Sequence, residues 1–270
     1  MARVKRTQRD RRLMCKRLSW ISFHLPHEEK WPKWSIAYPN LHLGPLTDIP
    51  GCEKVSLGRQ VEHPENAVFI IHWETADALH SFEQSPMCST LLHDLGCETA
   101  SLLSLQWEHG FFLDDRLYGR VTLSICAGPA DRETWHNATK AAFRVFIPKG
   151  CNDVVSWRPP RRLWAITWVD GAPVPEALAV EGKSEYSVRY EFFRWNSSDV
   201  GKEREEASFR EPGAKDVWAE GVANVVPPAL SWAQERWDIE IAPEFAKIGD
   251  EEGIEDEVDA QLAELNVEDE

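Results

Sequence analysis

The chain has 270 residues, 43% hydrophobic and 28% charged, enough apolar material for one large domain or two of ordinary size. Its formal net charge of -15 excludes nucleic acid as a general partner, because a phosphate backbone is met by a cationic surface. No stretch approaches the roughly 18 apolar residues of a membrane span, no signal-peptide run is present, and the six cysteines form no Cys-x-x-Cys pair, so reduced thiols in a cytoplasmic protein are expected.

Residues 1–17 are a basic arm, with Arg3, Lys5, Arg6, Arg9, Arg11, Arg12, Lys16 and Arg17 against a single Asp10. An import or nucleic-acid-contacting patch, an organelle presequence and a disordered arm all fit that composition. Leu18–Leu25 supplies a candidate strand. Trp31-Pro32, Tyr38-Pro39, Gly44-Pro45 and Ile49-Pro50 then punctuate the chain too often for a helix. Cys52–Val61 reads as a strand, His63–Asn66 as a turn, and Ala67–Trp73 as a second, strongly apolar strand. Thr75 is placed to cap a helix that carries Asp77 in its first turn and Ala78, Leu79 and Phe82 on one face. Ser85-Pro86 opens another helix, with Leu91, Leu92 and Leu95 inward, and Ser101–Trp107 returns as a strand.

In the second half, Arg120–Cys126 predicts a strand that Gly128-Pro129 breaks. A helix from Asp131 follows, with Trp135, Thr139, Ala142 and Phe143 on one face, and then a strand over Arg162–Val169 and a loop over Gly171–Gly182. Tyr186–Trp195 reads as a strand, residues 197–208 as a polar helix, Ala214–Ala223 as a short helix and Trp232–Ile241 as the last strand. Strand ending in tryptophan, cap, helix, short helix, strand therefore occurs twice. Residues 250–270 are rich in Asp and Glu without a Lys or Arg, which predicts a solvated acidic tail.

The Gly51-Cys52 start, the GRQVEHP strand end, the apolar strand closing on HWET and the ALHSFEQSP run before a leucine-bearing helix resemble fungal proteins of the antibiotic biosynthesis monooxygenase, or dimeric α/β-barrel, superfamily. The resemblance is good over roughly residues 50–110 and holds in outline beyond. It implies an α+β chain of two ferredoxin-like sandwich units packed sheet to sheet as an intrachain dimeric α/β-barrel. Residues 18–113 would form the first unit, lacking a clear first strand and helix, and 114–245 the second. Residues 1–17 and 246–270 would flank them as charged, disordered ends, and the whole would be a monomeric pseudo-dimer.

The sequence has no His-x-x-x-His zinc pattern, phosphate loop, dinucleotide-binding turn or nucleophile elbow. Active members of the superfamily oxidise electron-rich aromatic compounds with dioxygen and no bound cofactor. By that resemblance the expected function is a cofactor-independent monooxygenase of secondary metabolism acting on a small aromatic or polyketide-type compound. His72 would be the base and Arg59 the partner of the developing anion, with Trp73, Phe82 and His93 contacting the substrate. The same residues also fit plain structural roles, with Trp73 in the core and His72 hydrogen-bonded at a strand end. The alternative function is a non-catalytic barrel that binds a hydrophobic ligand or a protein. Some relatives degrade haem with an Asn on the first strand, a Trp on the helix and a His on the next. Here Phe82 stands near the Trp position, His93 only approximately at the His position, and the Asn is missing, so neither haem nor a metal is expected.

Overall fold

The strand Asn66–Trp73 is buried at every position after its first, because both of its faces are covered. A computed structural model of the protein describes residues 17–34, 43–97, 102–106, 117–128, 162–163, 187–195, 199–210 and 230–245. These contain the strands β1 (Arg17–His24), β2 (Cys52–Gln60), β3 (Asn66–Trp73), β4 (Leu102–Gln106), β5 (Gly119–Gly128), β6 (Arg162–Leu163), β7 (Ser187–Arg194) and β8 (Ser231–Ile241). The helices are α1 (Ala76–Glu83), α2 (Pro86–Asp94) and α3 (Asp199–Arg210).

The strands form one antiparallel eight-stranded sheet in the order β4-β1-β3-β2-β8-β5-β7-β6. The last four strands repeat the order of the first four, with β8 standing to β5, β7 and β6 as β4 stands to β1, β3 and β2. The two sets join where β2 pairs β8, from Ser56↔Ile241 to Gln60↔Trp237. Gly58 makes that junction possible. It lies opposite both Val68 and Ile239, and a Cβ there would come within 2.7 Å of the Val68 side chain and 3.3 Å of Ile239.

The sheet curls strongly. Five strand spacings separate β1 from β7 in its order, about 24 Å if the sheet were flat. Yet the Trp20 ring lies 5.5 Å from Phe192 on β7 and 5.3 Å from Trp237 on β8. One face thus turns inward on itself, burying Leu18, Trp20, Val68, Ile70, Leu123, Phe192 and Trp237 in a single cluster. The opposite face of the first four strands packs Phe69, Ile71 and Trp73 against Leu79, Phe82, Leu91 and Leu92 of α1 and α2. Alternation along each strand assigns neighbouring residues to opposite layers.

The caps are as expected. The Thr75 hydroxyl accepts the Ala78 N–H at 3.1 Å, and the Ser85 hydroxyl accepts the Cys88 N–H at 3.3 Å. The candidate strand over Leu18–Leu25 forms as β1, which corrects the expectation that the first unit lacks a clear first strand: it pairs β3 over its whole length and β4 over Arg17–Ile21. Its alternation of Leu18 and Trp20 with Ile21 and Phe23 feeds both apolar layers. Between β1 and β2 the described residues contain a single 3-10 turn at Gly44–Leu46, with Gly44 at φ +50° beneath the Trp34 ring. The predicted helices after Asp131 and over Ala214–Ala223, most of the Arg162–Val169 strand, and both charged ends lie outside the described residues. No helix among the described residues is long and apolar enough to cross a membrane.

Candidate functional site

His72 and Trp73 are consecutive on β3 and therefore belong to opposite layers. His72, 4% exposed, follows Val68 and Ile70 on the inner face, in register with Leu18 and Lys54. Trp73 faces the helices, with its ring 4.8 Å from Phe82 and its indole N–H donating to the Ser19 hydroxyl at 2.9 Å. Arg59 stands opposite Ala67, at the far end of β2 from Lys54 and His72, about 17 Å away along the strand. Its guanidinium donates to the backbone carbonyls of Leu25 (3.1 Å), Pro26 (3.3 Å), Glu29 and Pro64. That binds the segment after β1 to the β2–β3 turn. His93 is exposed on α2. The structure thus joins Trp73 to Phe82 and keeps His72, Arg59 and His93 apart from them.

The inner face offers a different constellation. Trp20, Phe192 and Trp237 meet there, and Tyr190, 5% exposed, lies two residues before Phe192 on the same side of β7. Into this aromatic surface β8 brings Glu235, paired to Leu123 and flanked on its own face by Ala233 and Trp237. The Trp237 indole N–H donates to the Glu235 carboxylate at 2.9 Å. Burial is the main cause that raises the Glu235 pKa. The charge of Glu62 adds to it, and the indole hydrogen bond offsets part. Tyr190 is also pushed up, by burial first and then by the Glu235 charge. Each group therefore disfavours a negative charge on the other. A carboxyl whose pKa burial raises, set against aromatic side chains, is suited to exchanging a proton with a flat organic ligand.

The outer face of β5 and β8 carries charge of another kind. Arg120, 4% exposed, donates to Asp238 at 2.8 and 3.0 Å and to the fully buried Glu205 of α3 at 2.5 Å. Arg236 donates to Glu205 at 2.6 Å and to Glu62 at 3.2 Å. Every member has a partner of opposite sign, which fits a clamp for α3. Among the described residues no group of three or more His, Cys, Asp or Glu is placed to hold a metal ion.

The 3-10 turn, β2, β3, α1 and most of α2 coincide with a match to the family model described as antibiotic biosynthesis monooxygenase, over residues 40–92. That segment is similar to the antibiotic biosynthesis monooxygenase family. The matched segment contains His72, Arg59, Trp73 and Phe82, whereas Glu235, Trp237, Tyr190 and Phe192 lie beyond it. No curated protein matches the chain. Among solved structures it is similar to an anthrone oxidase-like protein, at 14% identity and a TM-score of 0.44, over 85% of this chain and 94% of that one. It is also similar to a protein of Lactobacillus acidophilus NCFM described provisionally as a monooxygenase, at 10% identity and a TM-score of 0.41, over 84% and 96% of the two chains. At these scores the likenesses carry no argument about fold or activity.

The sequence reading missed Glu235 and Tyr190. A signal for Glu235 was there: at period two, Ala233, Glu235, Trp237, Ile239 and Ile241 form an apolar series interrupted by one carboxylate.

Proposed function

We propose that the protein is a cofactor-independent, monooxygenase-like enzyme that oxidises a small aromatic compound on the inner face of its curled sheet. In this reading the chain is a tandem pair of ferredoxin-like units, about residues 18–113 and 114–245, closed as an intrachain α/β-barrel and acting as a monomer. The observation that carries the reading is the Glu235 carboxyl, held by the Trp237 indole and facing the ring cluster of Trp20, Phe192 and Tyr190. The family of residues 40–92 supports the reaction class. Glu235 accepts the phenolic proton, and the phenolate gives an electron to dioxygen, which is the oxidant. For an anthrone-like substrate the ring methylene and one molecule of dioxygen give a ring carbonyl and one molecule of water. The methylene carbon keeps one oxygen atom, and the other leaves as water with the two hydrogens that the carbon loses. Aromatic walls hold the ring flat and keep water from the developing radical pair.

The test is oxygen uptake by the purified protein with a panel of hydroquinones and anthrones, repeated with Glu235→Gln. Uptake in the parent protein that falls at least a hundredfold in the variant supports the reading, since a positioned base contributes about that much or more. Uptake undiminished by the substitution refutes it. The second reading, a barrel that binds a ligand without oxidising it, is favoured by Arg59, whose donors are engaged with backbone carbonyls away from the inner face. Saturable quenching of tryptophan fluorescence without oxygen uptake would select it.

A further inference from the structure

The outer face of β5 and β8 holds two buried polar atoms that the protein leaves without a hydrogen bond. Ser124 is 1% exposed and its hydroxyl has no partner. The side-chain amide nitrogen of half-buried Gln234 is shielded from solvent and has none either. The two residues are directly opposite each other, Ser124↔Gln234, which places their Cβ atoms about 5 Å apart on one face. That face is the one away from the inner cluster, to which the flanking Leu123 and Ile125 belong.

The first set of strands shows what this position needs for folding. The Trp73 indole donates to Ser19 at 2.9 Å there, and the Trp195 indole donates to Thr122 at 2.8 Å in the second set. These equivalent bonds set Ser19 against Thr122, and two residues on they set Ile21 against Ser124. The pairings Ile21↔Leu102 and Ser124↔Gln234 then set Leu102 against Gln234. Ile21 is fully buried in the helix-facing core, and Leu102 packs against it. The polar row that serves the architecture is therefore partnered in both sets. The next row is aliphatic in one set and, in the other, a hydroxyl and an amide that bond to nothing. Leaving such groups buried and unmet works against folding, so something outside the fold accounts for them.

We propose that Ser124 and Gln234 form a binding site for a neutral ligand through its carbonyl oxygen. The two lone pairs of one such oxygen accept from the Gln234 N–H and the Ser124 O–H together. The next row along the face, Cys126 opposite Trp232, offers an apolar neighbour to an aromatic body. The row on the other side, Thr122 opposite Arg236, leads into the charged clamp. Arg120 and Arg236 are already matched there by Glu205, Asp238 and Glu62. No spare charge is left to repay the desolvation of a carboxylate, which is why the ligand is neutral. This site lies on the opposite face from Glu235 and does not depend on the activity proposed above.

The experiment titrates the full chain with acetophenone carrying a carbon-13 carbonyl, and with ethylbenzene and benzoate as comparisons, reading affinity and the infrared stretch of the bound carbonyl. The parent protein is expected to hold acetophenone at least tenfold more tightly than either comparison and to shift its stretch to lower wavenumber. Ser124→Ala and Gln234→Leu are each expected to lose about tenfold in affinity, the value of one hydrogen bond, and to move the stretch back up. Both should melt no lower than the parent when ligand-free. Absence of acetophenone binding, equal binding of ethylbenzene, or variants that bind it as the parent does would overturn the proposal. So would variants that melt well below the parent, because the two groups would then serve the fold through bound water.

Discussion

Removing the Glu205 carboxylate should uncouple α3 from the sheet, and the size of the effect can be worked from its partners. The side chain is 0% exposed and accepts from Arg120 at 2.5 Å and from Arg236 at 2.6 Å. Taking one member from a buried ion pair costs about 3–5 kcal/mol, chiefly because the remaining charge stays desolvated. Here neither arginine is left wholly alone. Arg120 retains Asp238 at 2.8 Å, and Arg236 retains Glu62 at 3.2 Å on a more exposed edge. The expected cost of Glu205→Ala is therefore at the low end, about 3 kcal/mol. With a urea dependence near 3 kcal/mol/M for a chain of this size, the midpoint should fall by about 1 M. The matched control is Glu206→Ala, whose carboxylate is 39% exposed and 3.9 Å from Arg120; it should cost less than about 0.5 kcal/mol. Equal midpoints for the two variants would refute the assignment of Glu205 as the centre of the clamp.

The equivalent indoles should behave alike: Trp73→Phe and Trp195→Phe each strand a buried hydroxyl, Ser19 or Thr122. Each should cost about 1–2 kcal/mol by urea titration, and Trp73→Phe with Ser19→Ala should cost less than the two singles summed. Burial pushes the Cys52 thiol up to about 12, so iodoacetamide at about pH 8 should leave it unmodified in the native protein and alkylate it in urea, as peptide mass mapping would show. The raised Glu235 pKa makes a signed prediction about stability. Its folded state holds the proton more tightly than the unfolded state, so its contribution is fully present below the unfolded value of about 4.3 and is lost as pH rises through the folded value. Across that window the melting temperature of the parent should fall relative to Glu235→Gln; parallel curves would contradict the raised pKa.

Most of the strands were legible because their alternation is strong and their ends are marked. Thr75 and Ser85 each announce a helix by a side-chain oxygen three residues before an N–H that needs it, and both caps form. β1 was harder to see. Its eight residues, RLSWISFH, mix serines with large apolar groups, because Ser19 is not a solvent position but the acceptor for the Trp73 indole. A buried serine whose partner lies 54 residues away carries no local signature. The Glu205 clamp was illegible for the same reason: α3 reads as polar, and nothing nearby in sequence says that one of its glutamates meets arginines of β5 and β8.

The candidate site shows how adjacency in sequence misleads on a sheet. His72 and Trp73 look like a catalytic pair because they touch in the chain, yet the period-two geometry of a strand sends them to opposite layers. Glu235 and Trp237 look unrelated because a residue separates them, and that spacing is what brings the indole N–H onto the carboxylate at 2.9 Å. On a strand with one apolar face, the informative pattern is therefore the charge that breaks an every-other-residue apolar series. β8 has that break at Glu235, within the Ala233–Ile241 series. The family match over residues 40–92 identifies the half of the sheet that keeps the recognisable pattern. Glu235 and Trp237 lie beyond that match, on a strand whose apolar series the carboxylate interrupts.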